Sequence, residues 1–189
     1  PSQLNIRSKA IFAMFNNRIS NHMNNAFATP QDNHERLLRM VEEIFATSGD
    51  PRQLNITPEV IDRLKQLHPS TVLEHVSENG TVAWVVLIPT TLELMNRFVA
   101  GEISEKELFE LTPLGIKYEA LYLCSALVLE EYRRQGIVKQ MVTAAAQSIR
   151  KEHPLKAIFV WPFTKEGELA AESIATTLNL PLYKFQHDK

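Results

Sequence analysis

An α/β fold of the α+β kind, with a helical N-terminal part leading into a mixed sheet, follows from three features of the sequence. Apolar residues recur at steps of three and four through the first 70 positions. An Asn79-Gly80 pair divides two β-rich runs, and a strand–turn–helix–strand order extends from Ile116 to Trp161. The last of these is a crossover, which joins parallel strands in the right-handed sense. The hairpin beside it is antiparallel, so the sheet is mixed. The 189 residues suit a single domain, with a helical part over 1–70 and a sheet-containing core over 71–189.

Each element has its own local cause. Ile11, Phe12, Phe15, Ile19 and Met23 form one apolar face and predict a helix over about Ser8 to Ala26, closed by Pro30. Asp32 and Glu35 have the spacing of a capping box for a second helix. Leu37, Leu38, Val41, Ile44 and Phe45 make its stripe, and Gly49-Asp50-Pro51 ends it. Thr57-Pro58 starts a third helix, with proline in the first turn where its missing N–H costs nothing. Val60, Ile61, Leu64 and Leu67 are its inward face. Thr71–Val76 and Thr81–Ile88 are rich in β-branched and aromatic residues, and Asn79-Gly80 tolerates the positive φ that a tight hairpin requires. Thr91–Ala100 reads as helical, and Ser104 with Glu107 forms a capping box for a short helix carrying Leu108, Phe109 and Leu111. Ile116–Leu129 is apolar enough to be a long central strand. Gln135–Lys151 presents Val138, Met141, Val142, Ala145 and Ile149 on one helical face, and His153-Pro154 stops it. Ala157–Trp161, Glu166–Leu178 and Leu182–Phe185 complete the order as strand, helix and strand.

Composition narrows the function classes. Apolar residues make up 44% and charged residues 22%, as in soluble globular proteins. A net charge of -2 gives no general attraction to nucleic acid or an anionic membrane, and no basic stripe with interleaved aromatics appears. The longest apolar run, Leu121–Leu129, is interrupted by Ser125 and is too short to span a bilayer. No signal-peptide pattern opens the chain, and the single Cys124 cannot form an internal disulfide. These features predict a cytoplasmic protein. The six His are scattered without metal-ligand spacing, so no metal is expected. The sequence leaves the oligomeric state open, a homodimer included.

The chemistry concentrates between Leu127 and Val142. A strand ends in Glu130-Glu131-Tyr132, a basic turn follows with Gly136, and a helix begins. Unpartnered N–H groups and the positive end of the dipole lie at a helix start. Arg133, Arg134 and Lys139 add formal charge, and glycine allows close approach to the backbone. Such a turn suits a pyrophosphate; the alternative is a solvated basic turn. Neither a Walker-type phosphate loop nor a three-glycine dinucleotide fingerprint is present.

The stretch Val128-Leu129-Glu130-Glu131-Tyr132-Arg133-Arg134-Gln135-Gly136-Ile137 resembles the central motif of the GNAT acyltransferase superfamily, Arg/Gln-x-x-Gly-x-Gly/Ala following a strand. The order of elements from Thr71 to Phe185 is similar as well, so the resemblance spans roughly the last 115 residues. It implies a GNAT-like, mostly antiparallel sheet with a parallel β-α-β crossover and helices on both faces. It also implies an N-acyltransferase that moves acetyl from acetyl-CoA to a small-molecule or peptide amine. By the same resemblance Arg133, Arg134, Gln135, Gly136, Ile137 and Val138 cradle the pyrophosphate, with Lys139 near a phosphate. The strand end, Leu127, Val128 and Leu129 included, pairs with the pantetheine arm through unpaired backbone groups on Leu127 and Leu129.

Several positions depart from the family pattern, Asn179-Leu180 in place of Gly-Phe among them. Val138 stands where Gly or Ala is usual, and Ala175 stands where the family often has a Tyr that protonates the departing thiolate. These departures keep a second reading open: a GNAT-like module that binds acyl-CoA, or regulates, without catalysis. Acyl transfer to an amine needs a group to take the amine proton. Glu119 and Tyr122 on the central strand are the candidate catalytic residues, with Glu130 and Glu131 at its end. Tyr122 is better suited to act as acid than as base, and the ordinary reading of these side chains is a solvated rim for Glu130 and Glu131 and a core or cleft wall for Tyr122. Cys124, on an apolar strand without a partnering His in sequence, reads as a small buried hydrophobe. Trp161 and Phe163 are candidates to line the acyl or acceptor pocket.

Overall fold

The computed structural model describes residues 51–185 and, ahead of them, Asn33, Arg36, Leu37, Arg39 and Met40. The expected helix over Ser8–Ala26 and the Asp32/Glu35 capping box lie outside the described residues. Of the second helical stripe, Leu37 is helical and fully buried; Leu38, Val41, Ile44 and Phe45 lie outside.

Ten helices and strands follow among the described residues: α1 (Pro58–Leu67), β1 (Val72–Ser77), β2 (Gly80–Thr90), α2 (Leu92–Val99), α3 (Glu105–Leu111), β3 (Ala120–Val128), α4 (Ile137–Arg150), β4 (Ala157–Val160), α5 (Lys165–Leu178) and β5 (Leu182–Lys184). The sheet runs in sequence order, β1-β2-β3-β4-β5. The β1–β2 and β2–β3 pairs are antiparallel, and β3–β4 and β4–β5 are parallel. The mixed sheet and the parallel crossover through α4 are as the sequence predicts.

Side chains alternate across the sheet and build a core on each face. Val86, Ile88, Ala120, Tyr122, Ala157 and Phe159 pack with α1, α2 and α3. Val85, Leu87, Leu121 and Ile158 pack with α4 and α5. Every residue of β2 is buried, as expected of a strand covered on both faces. Helices on both faces are therefore a property of this sheet.

Local signals set the helix starts. Thr57 caps α1 by accepting the Val60 N–H at 3.3 Å, with Pro58 in the first turn. Thr91 caps α2. Both halves of the Ser104/Glu107 capping box form, Glu107 N–H to Ser104 Oγ at 3.1 Å and Ser104 N–H to Glu107 Oε2 at 2.8 Å. Phe98 of α2 is fully buried and meets the rings of Tyr122 at 5.1 Å, Phe185 at 5.2 Å and Phe159 at 5.8 Å. Burying a side chain of this size contributes about 1.5–3 kcal/mol, against about 1 kcal/mol for a cap. Packing thus holds this helical layer to the sheet, and the cap aims α3.

Three boundaries differ from expectation for physical reasons. The hairpin loop is Glu78-Asn79, because Ser77 pairs with Gly80; Gly80 alone takes the positive φ, 100°. The central strand begins at Ala120, not Ile116. Leu114 and Ile116 are exposed, and Tyr118 turns inward to donate from its hydroxyl to the Pro113 carbonyl at 2.8 Å. Helix α4 begins at Ile137 because Gly136, with φ 77° and ψ 6°, is its cap.

Replacing Ser104 by Ala removes one half of the capping box and should lower the free energy of unfolding by about 1 kcal/mol. The check is the urea midpoint at unchanged slope; an unshifted midpoint would show that the box does not hold α3.

Candidate functional site

The site begins where two strands part. β3 pairs with β4 only from Ala120↔Ala157 to Leu123↔Val160. Beyond that, β3 continues to Val128 against β2 alone, while the chain after Val160 turns away through Trp161-Pro162. Proline has no N–H to extend a ladder. The β2–β3 register also shifts here, with Val86 opposite Ser125 and Leu87 opposite Leu123. Cys124 is left as the extra residue of a bulge, which bends a strand and increases its twist.

The bulge decides which backbone groups face the gap. The Leu129 N–H donates to Val82 O at 3.0 Å. Backbone groups alternate sides along a strand, so those of Leu127 also point to β2, and those of Ala126 and Val128 point to the side that β4 has left. Arg133 reaches the Val128 carbonyl from that side, Nε to O at 3.4 Å. The expected unpaired groups on Leu127 and Leu129 are therefore corrected by one residue. Leu129 is bonded to β2, its side chain is buried with Val82 and Trp84, and the open edge belongs to Ala126 and Val128.

The gap is a slot of about 570 Å³ that reaches both faces of the sheet. Val138, Val142, Ala171 and Ile174 wall it on the α4–α5 side, and Leu54, Ile61 and Trp161 on the α1–α3 side. Val138 packs against the α4–α5 core and also lines the slot, so its branched side chain serves as wall. Trp161 is buried and Phe163 is exposed; their rings lie 4.8 Å apart at the rim.

At the mouth of the slot stands the basic turn. Glu130–Tyr132 makes one 3₁₀ turn, with Tyr132 N–H to Leu129 O at 2.9 Å and Arg133 N–H to Glu130 O at 3.1 Å. Arg134, with φ 62°, and Gly136 both take left-handed backbone angles. A side chain at Gly136 would meet no hard clash, so its backbone angle is what requires glycine. The first intrahelical bond runs from Gln140 N–H to Gly136 O. The amides of Ile137, Val138 and Lys139 therefore have no acceptor within the helix, no side chain caps them, and no acid lies in the first turn. Arg133, Arg134, Gln135 and Gly136 are exposed, and Lys139 is half-buried. Glu131 forms a two-point ion pair with Arg36 at 2.5 and 2.9 Å, and these hydrogen bonds hold its carboxyl below the usual carboxylate range.

The slot also contains a buried carboxylate that the sequence did not single out. Glu105, in the first turn of α3, is buried and lines the slot. Its Oε2 accepts the Leu54 N–H at 2.6 Å. Its Oε1 accepts the Tyr122 hydroxyl at 2.9 Å and the Cys124 thiol at 3.6 Å. Burial first, and then the neighbouring Glu105 charge, pushes Tyr122 and Cys124 well above their ordinary values. Both therefore stay protonated and serve as donors to Glu105. An acid in a first helical turn is ordinary, which hides this one. The signal that marks it is spacing: Glu105, Leu108 and Phe109 stand at i, i+3 and i+4 on the buried face of α3.

The structure separates the two catalytic candidates. Tyr122 is fully buried behind Glu105. Glu119 lies before β3 begins, ion-paired with Lys156, with its carbonyl accepting from Lys156 and Ala157. At about 3.3 Å per strand residue, that is on the order of 15 Å from Cys124 and the slot. Glu130 is exposed beside the turn. Ala175 is buried in the α4–α5 core. Among the described residues, no group of three or more His, Cys, Asp or Glu could hold a metal, and no helix is long and apolar enough to cross a membrane.

No protein-family model matches the chain, and no curated protein matches it in sequence. Among solved structures, an aminoglycoside acetyltransferase from an uncultured soil metagenomic sample, in complex with trehalose, aligns over 79% of this chain and 82% of its own at 18% identity and a TM-score of 0.41. The fold described above rests on its own strand order and pairing.

Cys124 is the single thiol of the chain, so a thiol reagent reports on the bulge directly. Each unit by which a thiol's pKa rises removes about tenfold of the reactive thiolate. At pH 8 the native protein should therefore react with a disulfide reagent at least about tenfold more slowly than the urea-unfolded chain. Equal rates would place the thiol in water, away from Glu105.

Proposed function

We propose that the protein transfers an acyl group, acetyl in the simplest case, from acyl-CoA to an amine. The observation that carries this reading is the slot between β3 and β4, which joins the positive helix start at Gly136 to the buried carboxylate of Glu105. A thioester donor has a polyanionic end, an amide-containing arm and a reactive carbonyl. The slot offers a counterpart to each: unpartnered amides with Arg133, Arg134 and Lys139 for the phosphates, the outward edge of Ala126 and Val128 for the arm, and an apolar interior for the acyl group. Pairing an extended arm with an open strand edge is strand addition.

Making an amide from an amine and a thioester forms one C–N bond, breaks one C–S bond and moves one proton from nitrogen to sulfur. Glu105 is the single carboxylate among the described residues that line the slot, and this reading assigns it to take that proton. The Leu54 N–H and the Tyr122 hydroxyl orient it, and Tyr122 acts as a donor because its own proton is held tightly.

A second reading is favoured by one observation. Ala175 fills a core position where the GNAT resemblance expects an acid, so the same slot could hold acyl-CoA without turning it over.

Acetyl-CoA at a hundred times its dissociation constant should stabilise the protein by about 2.7 kcal/mol, measured as a rise in melting temperature. Replacing both Arg133 and Arg134 by Ala should reduce that rise. Glu105→Gln should keep the rise and lower amine-dependent thiol release by about 10²–10⁴-fold. A rise with no thiol release from any amine selects the second reading; no rise at all removes both.

A further inference from the structure

A second cluster of polar side chains lies at the start of β3, away from the slot at its other end. His68 caps the C-terminus of α1, its N–H reaching Leu64 O at 3.2 Å, and it is only 4% exposed. Its Nδ1 accepts the Ser70 N–H at 3.0 Å, within the 3₁₀ turn Pro69–Thr71 that leads into β1. His153 follows the end of α4, and its Nδ1 accepts the Tyr118 N–H at 3.3 Å, just before β3. The two imidazoles lie 5.9 Å apart, edge to face, and the Tyr118 ring lies 4.6 Å from that of His153. Three junctions of the chain thus meet on two rings: α1 to β1, α4 to β4, and the approach to β3.

Both rings accept an N–H on Nδ1, and an imidazole nitrogen that accepts carries no proton of its own. Each ring is therefore held neutral, with its proton on Nε2. A second proton would set a donor against a donor at Nδ1, so the bonds to Ser70 and Tyr118 would be lost, and two imidazolium charges would repel across 5.9 Å. Glu152 and Lys117 are the charges that face the pair. Glu152 Oε1 stands 3.8 Å from His68 Nε2 and favours protonation, but its side chain is 66% exposed and its attraction is screened. Lys117, whose Nζ donates to the Glu152 carbonyl at 2.7 Å, opposes protonation of His153. Of the elements packed around the pair, β2 carries no charged side chain. On α1, Glu59, Asp62 and Lys65 are exposed, and Arg63 turns to the carbonyls of Glu110 and Thr112. Arg150 of α4 turns to the Leu178 carbonyl, and Glu119 pairs with Lys156. Burial is the leading cause that holds both rings below the ordinary 6.5. The folded chain binds fewer protons here than the unfolded one. This contribution to stability is therefore complete above the ordinary value and is lost as pH falls through the depressed ones. We propose that His68 and His153 form an acid-released clamp: on taking up protons they loosen the junction of α1, the end of α4 and the approach to β3 before the rest of the fold opens. The clamp does not depend on what the slot binds.

The test is hydrogen exchange at single amides of the full chain at pH 7.5 and pH 5.0, each rate divided into the intrinsic rate at that pH. Protection at the Ser70 and Tyr118 amides should fall at least about tenfold between the two, while Ala171, in the middle of α5, should lose less than about threefold. In a His68→Asn, His153→Asn variant, each Asn Oδ1 can accept the same N–H without titrating, and the fall at Ser70 and Tyr118 should disappear. Unchanged protection at both amides would overturn the proposal. So would an equal fall at Ala171, which would make the opening global, or a fall that persists in the variant. Titrating the two imidazoles by NMR in the unmodified protein keeps the test open if the variant does not fold. Both should titrate below 6.5, and either one titrating at or above that value sinks the clamp.

Discussion

The parting of β3 from β4 after Leu123 and Val160 is the constraint on which the rest of the molecule depends. A sheet buried on both faces would ordinarily keep its ladder closed, since an unpaired backbone group away from water costs as much as a lost hydrogen bond. Here the ladder opens in mid-strand. Two local features produce the opening: Pro162, which cannot donate, and the bulge at Cys124, which turns the strand. The same opening creates the slot, exposes the edge of Ala126 and Val128, and brings Cys124 against Glu105.

Each core has a distinct task around that opening. On one face, α4 and α5 pack over Leu121 and Ile158, which fixes the start of α4 at the slot's mouth. On the other, Phe98 and its ring partners hold α2 and the sheet together, and the Ser104 cap starts α3 so that Glu105 faces inward. The positive start of α4 and the carboxylate thus lie on opposite sides of one sheet, joined through the gap. The α4 start lacks the acid that commonly neutralises a first turn, while the α3 start has Glu105 and Glu107. These two helix N-termini therefore differ in charge as well as in their caps, and only the α4 start is suited to an anion.

What was legible in the sequence was what is decided locally. Thr57-Pro58 and the Ser104/Glu107 box each act within one turn of chain, and each is found where the sequence puts it. The β–α–β order from β3 to β4 was legible because its period changes from two to 3.6 and back. The open edge was misplaced by one residue because its phase depends on the bulge, and a one-residue slip exchanges the sides of every backbone group beyond it. Nothing within β3's own sequence marks that slip. Glu105 was hidden because an acid beside a capping Ser already has a local explanation, and its burial depends on Tyr122, Cys124 and Leu54, which are distant in sequence. Glu119 drew notice for its place near the central strand; the structure gives it to Lys156 at the far end.

Hydrogen exchange at single amides tests the central claim most directly, because the open edge makes a claim about individual N–H groups. In the protein alone, the Ala126 and Val128 amides should exchange quickly while Leu129, bonded to Val82, is protected. Saturating acetyl-CoA should slow Ala126 and Val128 by at least about tenfold, which corresponds to roughly 1.4 kcal/mol per site, and should leave Leu129 nearly unchanged. Slow exchange at Ala126 and Val128 in the free protein, or binding that protects neither of them, would contradict the account.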